Sequence, residues 1–181
     1  MKKDMIFKNV KALTLSSLLA AMSVVIGIFC KSLMNFGDGL FRISFENLPI
    51  IISGIMFGPA IGSAVGIVSD LISYLMSPQI YPINIIVTFG AGMIGFVSGI
   101  MSKYIIKANG NLQIAISTST AHLVGSVIIK SIGLFNYYQW GVLFRIPTYL
   151  AIAAIETLII CLLYKKSVFR RLIEDVRKEN L

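Results

Sequence analysis

From Ala12 to Cys30 the chain runs for nineteen residues without a charge. About 20 apolar residues in a helix span the hydrocarbon core of a bilayer, and a helix satisfies its own backbone polar groups there. The rest of the chain is built in the same way: 56% of its residues are hydrophobic and 13% are charged. Soluble chains carry about 25% charged residues. So little charge cannot cover a water-facing surface, which excludes soluble and disordered classes and leaves an all-α membrane protein. A length of 181 residues accommodates roughly six spans with short loops. No separate soluble domain fits beside them, and so no nucleotide-binding module.

Turn residues divide the chain into one integral membrane domain, 1–181, with six spans at about 10–34, 45–56, 60–76, 84–106, 112–134 and 142–164. The second span is short and contains Pro49. Gly58-Pro59, Ser77-Pro78 to Pro82 with Tyr81, Asn109-Gly110 and Phe135 to Gly141 mark the loops that follow, and Gly37, Asp38 and Gly39 mark the first outer one. The first apolar run is longer than the core of a signal peptide, so it reads as an uncleaved span. A basic, amphipathic tail occupies 165–181.

The net charge of +8 is distributed as a topology signal. Lys2, Lys3, Lys8 and Lys11 precede the first span, Lys103 and Lys107 flank an internal loop, and Lys165, Lys166, Arg170, Arg171, Arg177 and Lys178 follow the last span. With both termini cytoplasmic, these twelve of the sixteen basic residues lie inside, as the positive-inside rule requires. The expected location is the cell membrane, multi-pass, and nucleic acid is not an expected partner. Lys31, Arg42, Lys130 and Arg145 remain for the outer half.

Small residues recur at helical spacing. Gly58, Gly62 and Gly66 form one series and Ala91, Gly95 and Gly99 another, which predicts close packing inside the bundle. Ser16 with Ala20 and Ser17 with Ala21 form similar faces on the first span. A peripheral first helix would present such a face to another protein.

Polar groups at membrane depth need a reason. Ser63, Gly66, Asp70, Ser73 and Ser77 share one helical face, as do Ser119, His122, Ser126 and Lys130, and as do Arg145, Tyr149, Ile152 and Glu156. Three polar faces with cations at their outer ends describe a cavity open to the outside. His122 and Glu156, at similar depth, are expected to bond each other. For Lys130 and Arg145, snorkelling to outer headgroups stands beside a ligand role. Asn136, Tyr137, Tyr138, Gln139 and Trp140 lie close to both in sequence, and the aromatic members suit an interfacial belt or a flat heteroaromatic anion.

No catalytic set, no metal-ligand spacing and no GxxxxGK[ST] loop occurs, so the expectation is no enzyme, no cofactor and no metal. Cys30 and Cys161 fall at opposite depths, which argues against a disulfide. Uphill transport would draw its energy from a partner or an ion gradient.

The run from Phe45 to Leu71, with Phe45-Glu46-Asn47-Leu48-Pro49 at its start, and Arg145-Ile146-Pro147 opening the last span resemble the substrate-binding (S) components of energy-coupling factor (ECF) vitamin transporters. Within that family they are most similar to the folate-specific group, FolT. The resemblance covers essentially the whole chain and implies a six-helix bundle. It also implies tight capture of a vitamin from outside, and docking on a membrane coupling protein that carries two ATPase subunits. Docking is expected to topple the S component and release the vitamin inside. The family's Ala-xxx-Ala docking face on helix one falls on Ser17 and Ala21, with serine at the first position.

Folate combines a flat pterin with a glutamate bearing two carboxylates. Arg145 and Lys130 suit the carboxylates, with Lys31 and Arg42 as further cations that Asp38 and Glu46 can pair. Asp70 suits the adjacent N–H donors of the pterin, Asn84 is a second polar partner, and Trp140, Tyr137 and Tyr138 suit stacking. Riboflavin, thiamine or another vitamin is the alternative ligand. A small membrane enzyme or a structural membrane subunit is the alternative class.

Overall fold

The computed structural model describes residues 10–36, 41–76, 83–106 and 110–179, with the backbone alone at 35, 36, 41, 42 and 177–179. The turns expected at Gly37–Gly39, Ser77–Pro82 and Asn109 lie outside the described residues, as do Lys2, Lys3, Lys8, Asp38 and Lys107.

The first helix, α1 (Val10–Leu33), spans 24 residues and ends in a turn that contains Lys31. Its hydroxyls are satisfied locally: Thr14 Oγ1 donates to the Val10 carbonyl at 2.8 Å, and Ser17 Oγ to the Leu13 carbonyl at 2.8 Å. After it, Asn35–Phe36 pairs antiparallel with Phe41–Arg42, a two-residue ladder in register Asn35↔Arg42. The helix α2 (Asn47–Phe57) begins two residues later than the sequence predicts, which leaves Pro49 in its first turn, where a missing N–H costs no helical hydrogen bond. Its 11 residues cover only about 16 Å. Nearly all of them are buried by protein, so the shortness exposes no backbone to lipid.

Gly58, at φ +93°, turns α2 into α3 (Pro59–Leu75), with Pro59 at the first helical position. The helix α4 (Ile85–Ile100) runs on through a wider π-helical turn, Met101–Ile105. The glycine series meet face to face. A Cβ on Gly62 would lie 2.6 Å from both the Gly95 carbonyl oxygen and the Gly54 Cα, and one on Gly95 would overlap the Gly62 carbonyl. The α2, α3 and α4 backbones therefore touch directly, which is how helices associate where lipid removes the hydrophobic drive.

The helix α5 (Asn111–His122) continues through a π-helical stretch, Leu123–Lys130, into α6 (Ser131–Tyr138). The loop expected from Phe135 is absent: helix persists to Tyr138, with no glycine or proline between Phe135 and Tyr138 to interrupt it. The break comes at Gln139, at φ +45°, followed by a 3-10 turn, Gln139–Phe144. The helix α7 (Arg145–Lys165) then returns along α5. His122 Nε2 and Glu156 Oε2 tie the two together at 2.7 Å, both fully buried, as their matched depth predicts. His122 Nδ1 also meets Ser126 Oγ at 3.3 Å. Ser119, expected on the same stripe, is exposed, and the inward hydroxyls of that turn are Ser117 and Thr118. Glu156→Leu leaves the histidine without its partner inside the bundle. We expect it to destabilise the protein by about 3–5 kcal/mol, read as the midpoint of denaturant unfolding in detergent.

The amphipathic tail forms α8 (Ser167–Glu179), whose Ile173 and Val176 are buried in the same core as Ala12, Met56 and Phe57. Its outer face carries the exposed pair Arg170–Glu174, 3.8 Å apart.

Val10–Leu33, Ile85–Ile105 and the helical region Asn111–Lys165, which reverses at Gln139, are long and apolar enough to cross a membrane, and α2 and α3 are shorter apolar helices packed among them. Large apolar side chains such as Leu18, Phe29, Phe89, Leu158 and Leu162 are exposed along the long helices. That surface suits lipid as its solvent.

Candidate functional site

Two polar centres sit among the apolar helices. The first is a cleft between α1, α2, α3 and α4, lined by Ser23, Glu46, Ile50, Ser69, Asp70, Ser73 and Ala91. Asp70 projects from α3 and accepts a hydrogen bond from Thr88 Oγ1 of α4 at 2.7 Å. Lys31, at the end of α1, donates to Ser73 Oγ at 2.8 Å. Ser23 Oγ holds the Glu46 backbone carbonyl at 2.7 Å, which fixes the start of α2 against α1.

Lys130 reaches this centre from the far side of α4. Its stem passes Gly90, where an added Cβ would lie 2.9 Å from Lys130 Cγ. Its ammonium then stands 3.5 Å from Glu46 Oε1 and donates to Asn47 Oδ1 at 3.2 Å. Lys130, Glu46 and Asn47 are all buried. Ser44 Oγ, two residues before Glu46, is buried with no hydrogen-bond partner among the described residues. The cleft holds about 180 Å³, its open mouth included. That space includes open solvent, and the cleft itself has essentially no room for even a water molecule. Small-molecule sites hold about 300–1,000 Å³, so a ligand of that size fits only if the helix ends part.

The second centre is made by the reversal after Gln139, which folds the start of α7 back on the end of α6. The Arg145 guanidinium lies 5.1 Å from the Tyr138 ring centroid and 5.8 Å from that of Tyr149. Arg145 is only 5% exposed, yet it forms no ion pair among the described residues. A buried cation without an anion is costly unless a ligand supplies one. Two ring faces offset part of that cost through cation–π attraction.

The other residues singled out from the sequence lie as follows. Tyr137 is half-buried on α6. Trp140 is 74% exposed and meets Phe135 edge-on at 6.2 Å, on the outside of the reversal. Asn84 caps α4: its Oδ1 accepts from the Ile86 and Val87 amides, and its Nδ2 donates to the Gly133 carbonyl at 2.6 Å. Both ends of that side chain are thus engaged by backbone. Arg42 lies in the short ladder, and its side chain is outside the described residues. Ser17 and Ala21 lie together on the exposed face of α1, whereas Ser16 and Ser23 are buried on the opposite one.

Sequence reasoning missed Glu46 and Asn47 as part of the Lys130 centre, and Thr88 as the partner of Asp70. One signal for the first pair was present: two polar residues immediately ahead of an apolar run that the bundle buries.

A family model described as the ECF transporter substrate-specific component matches residues 11–170. A comparison with curated proteins gives no match. The matched range takes in all the membrane helices and both polar centres. The chain belongs to the substrate-specific components of ECF transporters, and is thus a membrane-embedded, substrate-binding transporter subunit rather than an enzyme.

Proposed function

We propose that this S component captures folate, or a closely related carboxylated vitamin, from outside the cell membrane. The observation that carries the reading is Arg145: a buried guanidinium with no counter-anion among the described residues, set against two tyrosine rings. Such a group recognises a carboxylate next to an aromatic body. Lys130 and Lys31 supply further positive charge around the cleft, and Arg42 lies on the same side in the proposed topology. Asp70 accepts from the pterin, and Tyr137 and Tyr138 stack on the rings. Asn84 contributes by fixing the start of α4, and Trp140 by anchoring the reversal at the outer membrane interface.

In the proposed topology six helical segments cross or enter the bilayer and both termini are cytoplasmic. The support is the distribution of basic residues about the helix ends. The vitamin passes inward after docking on the ECF coupling protein and its two ATPases. Ser17 and Ala21 are the proposed docking face, small and exposed on α1. Ala21→Trp places a large ring on that face. Vitamin uptake by cells should fall at least ~10-fold, by the loss of ~1.4 kcal/mol or more of docking, while purified protein still binds ligand.

A cationic vitamin such as thiamine is the second reading, favoured by the two carboxylates, Glu46 and Asp70, that line the cleft. Titration of the purified protein with folate, thiamine and riboflavin separates the two. The proposal expects folate to bind at least ~100-fold tighter than either, a difference of ~2.7 kcal/mol. Preferential thiamine or riboflavin binding overturns the folate assignment.

A further inference from the structure

We infer that Glu46 is a built-in competitor: its carboxylate pairs with Lys130 and yields that cation to the carboxylate of the incoming ligand. The inference rests on the proposed anionic ligand and adds a residue that determines both affinity and selectivity. The two cations of the candidate site are in different states. Arg145 is buried and has no ion pair among the described residues. Lys130 is already answered by Glu46 Oε1 at 3.5 Å, and by Asn47 Oδ1 at 3.2 Å.

The Glu46 contact is loose. Strong ammonium–carboxylate hydrogen bonds close to about 2.7–2.9 Å, so the contact leaves scope for a ligand carboxylate of better geometry. The rest of the Glu46 carboxylate is already housed away from Lys130. Its side chain lines the cleft beside Ser73, and Oε2 lies 2.9 Å from where a Cβ on Gly27 would be, with Ser73 Oγ 2.8 Å from the same point. The absence of a side chain at Gly27 leaves that space to the carboxylate. Lys31, which donates to Ser73, provides positive charge on that side. The Glu46 backbone need not move, since Ser23 holds its carbonyl at 2.7 Å. In the exchange Oε1 gives up Lys130 while Oε2 keeps its place beside Gly27 and Ser73, so Lys130 passes from one carboxylate to another.

The competition predicts an affinity ratio. Folate carries carboxylates, and 6-hydroxymethylpterin carries the same ring without them. Removing the internal carboxylate favours the first ligand over the second, whereas a purely structural role for Glu46 changes both affinities together. Isothermal titration of the purified chain in detergent with both ligands reads the ratio. Glu46→Gln should raise the folate-to-pterin affinity ratio about tenfold, and Lys130→Met in the Glu46→Gln background should abolish that gain. Glu46→Asp, which keeps the charge but shortens the reach to Lys130, should give a smaller rise in the same direction and provides the test where the glutamine variant does not fold. An unchanged ratio, or a ratio that falls, overturns the inference. Failure of the unsubstituted protein to bind folate overturns the folate reading itself, and the inference with it.

Discussion

Arg145→Ala should weaken folate binding by the purified protein at least ~100-fold, from the loss of ~3 kcal/mol or more of buried charge recognition. The size follows from where the guanidinium sits. It is buried at the start of α7, lies against the rings of Tyr138 and Tyr149, and has no anion of its own among the described residues. A carboxylate arriving there meets a desolvated, oriented fork of donors, and alanine removes all of them. The same geometry fixes the sign of a second effect. Because the cation is uncompensated without ligand, its removal should leave the thermal stability of the ligand-free protein unchanged or raise it. Lysine at this position keeps the charge but loses the planar fork, so Arg145→Lys should recover only part of the affinity. Calorimetry and melting in detergent check both effects. Loss of binding accompanied by loss of folding would mean that Arg145 is a structural residue.

Gly95→Val should prevent accumulation of folded, monodisperse protein. A Cβ at this position overlaps the Gly62 carbonyl, and the atoms in the way are backbone. Backbone inside a helix cannot rotate aside as the end of a side chain can. The helices α3 and α4 would have to separate, and α2, whose Gly54 packs at the same level, would separate with them. Overpacking in cores costs typically 1–3 kcal/mol and sometimes more, and here the strain falls on three helices at once. Size-exclusion profiles and the thermal midpoint in detergent give the answer. A Gly95→Val variant that melts within about two degrees of the parent, a change below ~1 kcal/mol, would contradict the packing account.

The features legible in the sequence are those with a short period or a strong solvent requirement. The uncharged run from Ala12 to Cys30 announced a helix in lipid. The glycine series of α3 and α4 announced a close contact, because only small residues at four-residue spacing leave room for it. The depth of His122 and Glu156 announced their pairing, since a bilayer interior punishes either one alone. The centre around Lys130 was harder to read. Asn47 and Lys130 are 83 residues apart, and nothing local to either residue points to the other. Thr88 looked like one more small polar residue in an apolar helix until α3 brought Asp70 to it. The end of α6 was misjudged because asparagine, tyrosines and tryptophan suggest a membrane-surface loop. The chain keeps its helical hydrogen bonds as far as Tyr138 and reverses only at Gln139.

The central claim is that the two polar centres serve a carboxylated, pterin-like vitamin. Mass spectrometry of the small molecule that co-purifies with the protein from cells in rich medium tests this most directly. The account predicts one folate or related pteridine carboxylate per chain, lost from the Arg145→Ala variant. Thiamine, riboflavin or another vitamin without a carboxylate, retained by that variant, would contradict it.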